Sequence, residues 1–206
     1  GVVFSTLTKL QDDREKFNEF YNRIVIVFTT LVGFICLLIY FYAEQAILLL
    51  YGEKWLGAVF FMQVLIIAGF FYMQEMLNRV LFKVFDRTDK ILYLEIIKKA
   101  IQTITIVIGI IFMDLEILLY GFLVTAIVSY FINYYHSKKI YESFSWKEIV
   151  LVLKVVLIGF FTIVVFDLIS KSIGLKGFYM FFLLPFLLVF YFLIAKILKV
   201  VDIVNE

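Results

Sequence analysis

Ionisable and amide side chains interrupt an otherwise apolar stretch in the first half of the chain. Gln74, Glu75, Asn78 and Arg79 lie within the stretch 56–82. Glu75 precedes Arg79 by four residues, so on a helix the two side chains share one face and can pair. Ionisable groups inside an apolar span are costly and usually functional. The spacing therefore predicts an ion pair between Glu75 and Arg79 and makes this cluster a candidate functional site.

A second polar cluster opens the next apolar stretch. Glu95, Lys98, Lys99 and Gln102 fall at i, i+3, i+4 and i+7, which is one stripe of a helix. One interpretation is a hydrated, cationic wall that meets an anionic substrate. The alternatives are that the lysines snorkel to the membrane interface, or that the span begins nearer Lys99.

Other chemistry has little support in the sequence. The chain has one cysteine and one histidine, Cys36 and His136, and no phosphate-cradling glycine loop or Ser/His/Asp set. We predict no catalytic residue, no metal and no cofactor. Nucleic-acid binding is also not expected, because the basic residues lie at the ends of apolar stretches.

Six long apolar stretches must position these residues. The 206-residue chain is 64% hydrophobic, with a mean hydropathy of +1.03, and about 20 apolar residues suffice for a helix to cross a bilayer. The predicted fold is an all-α polytopic transmembrane bundle. Its six spans are Arg23–Ala43, Leu56–Phe82, Ile91–Met113, Leu115–Tyr135, Ile149–Ser170 and Phe178–Leu198.

The distribution of lysine and arginine predicts the orientation, since positively charged loops stay in the cytoplasm. Basic residues concentrate before the first span, in the second and fourth connections and in the tail, whereas the first connection has only Lys54 and the third has none. We therefore expect both ends in the cytoplasm. Lys171 and Lys176 in the fifth connection oppose this assignment.

Small residues and one proline occur inside the spans. The five glycines are suited to close helix packing or to bending, and the proline predicts a kink in the sixth span. We also expect Asn133, late in the fourth span, to form a hydrogen bond between helices. These residues are Gly33, Gly69, Gly109, Gly121, Gly159 and Pro185.

Several short strings resemble one membrane-protein family. The chain resembles the C-terminal part of Wzx-type polysaccharide or O-antigen flippases (lipopolysaccharide biosynthesis proteins) of the MATE-like exporter superfamily. It departs from the family pattern at Ser5, where proline is usual, and at Asp86, where glycine is usual. The strings are Lys9–Asp13, Ala43–Glu44, Gly52–Trp55, Leu77–Asn78, Arg87–Asp89 and Leu94–Lys99.

The resemblance implies a domain organisation. Residues 1–22 would be a cytoplasmic connector after a preceding span, and 23–135 would be four helices of the second transporter lobe. Residues 136–148 would be a cytoplasmic loop, and 149–206 two peripheral helices. The N-terminal lobe of the same protein is an expected partner.

The resemblance also implies a function. The chain would belong to a multi-pass protein of the bacterial inner membrane that flips undecaprenyl-diphosphate-linked oligosaccharide repeat units by alternating access. Lys98, Lys99 and Arg79 would neutralise the diphosphate, and a second group of residues would hydrogen-bond the sugars. The alternatives are a multidrug or lipid II exporter, a membrane-embedded glycan ligase or polymerase, and a non-transporting scaffold. The sugar-binding candidates are Asn78, Gln74 and Gln102, and the candidate coupling carboxylates are Glu75 and Glu95.

Overall fold

The computed structural model describes residues 2–141, 146–175, 177–198 and 200, and these residues are almost entirely helical. Two short 3₁₀ helices, Glu53–Trp55 and Gly177–Leu183, precede α4 and α8. The prediction of an all-α polytopic bundle is confirmed. The α-helices are α1 (Val2–Leu10), α2 (Arg14–Phe41), α3 (Ala43–Tyr51), α4 (Ala58–Val84), α5 (Thr88–Phe112), α6 (Leu115–Tyr141), α7 (Trp146–Ile173) and α8 (Leu184–Ile197).

Five of the six expected spans coincide with segments long and apolar enough to cross a membrane. They are α2, α4, α6, α7 and Tyr179–Ile197, within the part of the chain that the structure describes. The remaining one, α5, has 25 residues, so it is long enough. Its last 18 residues include Glu95, Lys98 and Lys99, and composition alone therefore does not identify α5 as a span.

The predicted connector before the first span is helical, and the first span begins earlier than expected. α1 occupies Val2–Leu10, and α2 begins at Arg14. The Asp13 carboxylate accepts a hydrogen bond from the Lys16 backbone N–H at 3.2 Å, as a capping residue does. The Lys16 side chain also bonds Asp13, which lowers the pKa of that carboxyl.

The segment between α2 and α4 contains the helix α3. The predicted kink at the proline is wrong. Pro185 does not kink the interior of a continuous sixth helix, because it lies in the first turn of α8, directly after a 3₁₀ helix. Proline is tolerated there, since a first-turn N–H has no intrahelical partner.

The chain forms two compact units. The first comprises 1–22 and 60–145, and the second comprises 23–59 and 146–206. This grouping by contact differs from the predicted segments 23–135 and 149–206, whose assignment to lobes stays a prediction. In the expected loop 136–148, α6 runs to Tyr141 and α7 starts at Trp146, and residues 142–145 lie outside the described part.

Helices α5 and α6 of the first unit form a tight hairpin. Met113 takes a left-handed conformation between them (φ 48°), and Asp114 then caps α6 by accepting from the Glu116 N–H at 2.7 Å. A methyl group at Gly109 would lie 2.8 Å from Leu118, and one at Gly121 would lie 2.9 Å from Thr105. Two of the span glycines therefore serve close helix packing.

The second unit is held by aromatic contacts. Tyr191 of α8 is fully buried, and its ring packs at a tilt against that of Phe34 of α2, with the centroids 5.2 Å apart. Its hydroxyl donates to the Thr30 carbonyl at 3.0 Å. Tyr42 donates its hydroxyl to the Met180 carbonyl at 3.2 Å. Buried aromatic rings with a satisfied hydroxyl fix the relative position of α2 and α8 within this unit.

Candidate functional site

A cleft of about 310 Å³ lies within the first unit, between α4, α5 and α6. This volume is at the lower end of the range of small-molecule sites. Both sequence clusters contribute to it, so residues from two separate stretches meet. Six of the eight predicted site residues line the cleft: Glu75, Arg79, Glu95, Lys98, Lys99 and Gln102.

Lys98 is the centre of an ion cluster in this cleft. Its Nζ lies 2.5 Å from Glu75 Oε1 on α4 and 2.5 Å from Glu95 Oε1 on α5. A guanidinium nitrogen of Arg79 lies 3.1 Å from the same oxygen of Glu95. The predicted pairing of Glu75 with Arg79 along α4 is therefore wrong, because each pairs with α5 instead.

Burial distinguishes the members of the cluster. The side chains of Glu75 and Lys98 are 5% and 7% exposed, whereas those of Arg79 and Glu95 are 22% and 30% exposed. A buried ion is tolerated only when it is paired and its remaining polar atoms are bonded. Glu75 and Lys98 are thus fixed partners, and snorkelling does not describe Lys98, whose ammonium ends at two carboxylates.

Lys99 differs from Lys98 although the two are adjacent. Its side chain is exposed, and its Nζ donates to Gln102 Oε1 at 2.8 Å. Within the described residues, no carboxylate oxygen lies within 4 Å of this ammonium. Three cations and two carboxylates line the cleft, which gives it a formal charge of +1.

The two remaining predicted residues do not reach the cleft. Asn78 is fully buried, accepts from the Ser137 hydroxyl at 3.1 Å, and donates to the Gln74 carbonyl at 3.1 Å. Gln74 is buried as well. Both side chains are buried between helices rather than in the cleft. A sugar-binding role for Asn78 and Gln74 stays a prediction, and their burial does not favour it.

Helix α6 supplies a polar stripe of which only Asn133 was predicted from the sequence. Thr125, Ser129, Asn133 and Ser137 recur every fourth residue and so share one face. Asn133 donates to Glu75 Oε1 at 2.8 Å, which confirms the expected hydrogen bond between helices. Thr125 and Ser129 line the cleft. The four-residue spacing of these polar residues in the sequence could have indicated the stripe.

The far end of the cleft is apolar. Leu65, Ala68, Gly69 and Phe122 line it, with Tyr72 between them and the ion cluster. Gly69 has open space where a side chain would begin. The lining of α4 extends from Leu65 to Arg79, so the cleft runs about 20 Å along that helix. One end therefore suits a charged group and the other an apolar one.

The described residues contain no cluster of three or more His, Cys, Asp or Glu side chains that could hold a metal ion. The groups in the cleft can bind anions through ammonium and guanidinium donors, and can hydrogen-bond hydroxyls through Gln102, Thr125 and Ser129.

Comparison with known proteins relates the N-terminal part of the chain to one described family. No curated protein and no solved structure matches the chain. Residues 1–60 match a family model described as "Polysaccharide biosynthesis protein". This range covers α1 to α3 and the start of α4, and the cleft residues lie beyond it. Over its first 60 residues, the chain is thus similar to the polysaccharide biosynthesis proteins.

Proposed function

We propose that this chain is part of a flippase of the bacterial inner membrane, and that it moves undecaprenyl-diphosphate-linked oligosaccharide repeat units to the outer leaflet. The observation that carries the proposal is the net positive cleft between α4, α5 and α6. The match of residues 1–60 to polysaccharide biosynthesis proteins supports a glycan-related substrate.

The cleft provides what a diphosphate headgroup requires. Diphosphate and sugars cannot cross hydrocarbon unaided, whereas ammonium and guanidinium groups form strong charge-assisted bonds to phosphate oxygens. Lys99, which is exposed, and Arg79, which is partly exposed, are the accessible cations. Gln102, Thr125 and Ser129 can hydrogen-bond the first sugar, and the polyprenyl chain stays in lipid.

Lys98 has a different role in this proposal. Its ammonium holds Glu75 and Glu95, and thereby joins α4 to α5. Lys98 also adds positive potential to the cleft beside Arg79 and Lys99. Glu75 and Glu95 remain the candidates for coupling carboxylates, because both lie in the ion cluster.

Transport requires access from both sides of the membrane. We propose that the lobe formed by these helices rocks against the N-terminal lobe of the same protein, with both ends of this chain in the cytoplasm. The basic residues of the α4–α5 connection, Lys83, Arg87 and Lys90, support that orientation. The charged end of the cleft then lies nearer the cytoplasm, where lipid-linked repeat units are made.

A charge-removal experiment tests the proposal. Lys99→Gln and Arg79→Gln should each lower export of lipid-linked glycan in cells by at least about tenfold, while membrane insertion stays normal. Lys83→Gln removes an exposed charge from α4 outside the cleft and should export normally.

Three outcomes contradict the proposal. Normal export by both cleft variants refutes a role in flipping. Loss of a protein complex with export otherwise intact indicates a scaffold. Accumulation of unprocessed substrate on the outer face indicates an enzyme of glycan assembly.

A further inference from the structure

Glu95 occupies the place in the cleft that best suits an anion. Its Oε1 lies 2.5 Å from Lys98 Nζ and 3.1 Å from Arg79, and Lys99 follows it by one helical turn. One oxygen therefore faces two cations, with a third nearby. A carboxylate in such a position mimics a bound phosphate.

The two carboxylates of the cluster differ in how firmly they are held. Glu75 is almost completely buried and accepts hydrogen bonds from both Lys98 and Asn133. Glu95 is 30% exposed and lies on the more open side of the cluster, with Arg79. Displacing Glu95 would leave Lys98 paired with Glu75, whereas displacing Glu75 would leave Asn133 without its partner. Glu95 is the carboxylate that can leave at lower cost.

We infer that Glu95 is an internal plug of the anion site, and that the phosphate of a lipid diphosphate displaces it from Arg79 and Lys98. This inference rests on the proposed function and adds a mechanism of regulation to the same site. The cleft has a formal charge of +1 with Glu95 in place and +2 without it. A phosphate offers more acceptor oxygens and more charge than a carboxylate, so it can engage all three cations.

Because a ligand must displace Glu95, the site has a low affinity for free anions. A free carboxylate or inorganic phosphate must compete with an attached carboxylate, which has a high effective concentration. A lipid diphosphate adds contacts along the apolar end, where Leu65, Gly69 and Phe122 lie. The plug therefore favours an amphipathic ligand over a free ion.

Equilibrium binding of radiolabelled farnesyl diphosphate to the protein in nanodiscs tests the inference. Glu95→Gln should bind at least about tenfold more tightly than the wild type, since an opposing unit charge roughly 6 Å from the ligand is removed. Glu95→Asp keeps the charge and should bind more weakly than Glu95→Gln. Glu116→Gln is the matched control, because Glu116 is exposed and lies outside the cleft.

Each outcome has a distinct meaning. Unchanged or weaker binding by Glu95→Gln, with clear binding by the wild type, overturns the plug and leaves the flippase proposal intact. Absence of binding by wild type and variant alike overturns both. Equal affinity for inorganic pyrophosphate and farnesyl diphosphate overturns the lipid as the source of the phosphate.

Discussion

The buried pair Glu75–Lys98 predicts strong thermodynamic coupling between α4 and α5. Lys98→Met removes the cation and leaves the Glu75 carboxylate buried with Asn133 alone, which should cost about 3–5 kcal/mol of unfolding free energy. Glu75→Gln keeps an oxygen for Asn133, and Lys98 keeps Glu95, so this change should cost about 1–3 kcal/mol.

The double variant separates the charge pair from simple packing. Glu75→Gln with Lys98→Met removes both charges, and Glu95 keeps its ion pair with Arg79. Replacing a buried ion pair by neutral side chains of similar volume is often neutral. We therefore expect the double variant to be more stable than the sum of the single effects predicts, by at least about 2 kcal/mol.

Unfolding in mixed detergent–SDS micelles measures these free energies. Loss of the far-UV circular dichroism signal follows unfolding, because α4 and α5 are helical in the folded protein. Lys99→Met is the matched control and should change stability by less than about 0.5 kcal/mol, because Lys99 is exposed. Additive effects in the double variant would refute a buried ion pair between these helices.

Three further predictions concern single positions. Gly69→Leu should fill the apolar end of the cleft and abolish export in cells, with the protein expressed at its normal level. Gly159 also has open space beside it on a helix, so Gly159→Leu is the control and should leave export unchanged. Asp86→Gly should raise the unfolding free energy by about 0.5 kcal/mol in the micelle assay, because Asp86 has a φ of 51° that glycine adopts without strain. A lower unfolding free energy for Asp86→Gly would show that the backbone at Asp86 is not strained. Gly121→Val should lower the unfolding free energy by about 1–3 kcal/mol, because the added side chain meets Thr105 at the α5–α6 contact. An unchanged midpoint of the SDS unfolding curve would show that the two helices can move apart without cost.

Much of the helical architecture could be predicted from apolar length alone. Stretches of about 20 apolar residues coincide with α2, α4, α6, α7 and Tyr179–Ile197. The stripe of Glu95, Lys98, Lys99 and Gln102 on α5 was also predictable, because helical periodicity places i, i+3, i+4 and i+7 on one face, and all four residues line the cleft.

The partners of the charged residues could not be predicted from spacing. The i, i+4 rule favours Glu75 with Arg79, but it considers one helix in isolation. In the folded unit, α5 brings Lys98 and Glu95 opposite them. The pair Glu75–Lys98 is preferred because it satisfies two ions that are largely removed from water. The register of two helices depends on their turn and packing, which periodicity does not encode.

The breaks in the helices could not be predicted from hydropathy, because they depend on local backbone geometry. A hydropathy pattern does not distinguish a continuous span from a 3₁₀ helix followed by α8, and the first-turn position of Pro185 follows from where α8 starts. The rest of the polar stripe of α6 was missed for another reason. Threonine and serine can bond the carbonyl one turn back, as Thr125 does to Gly121, so they are not costly within a span.

Photo-cross-linking tests most directly whether the cleft binds the headgroup of a lipid-linked oligosaccharide. A photoreactive phenylalanine derivative replaces Thr125, which lines the cleft, or Phe160, which is exposed on α7, and the cells carry radiolabelled repeat units. We predict cross-linking to the lipid-linked sugar at position 125 that Lys99→Gln abolishes, and none at position 160. Equal labelling at both positions, or labelling at 125 that persists in Lys99→Gln, would contradict binding in this cleft.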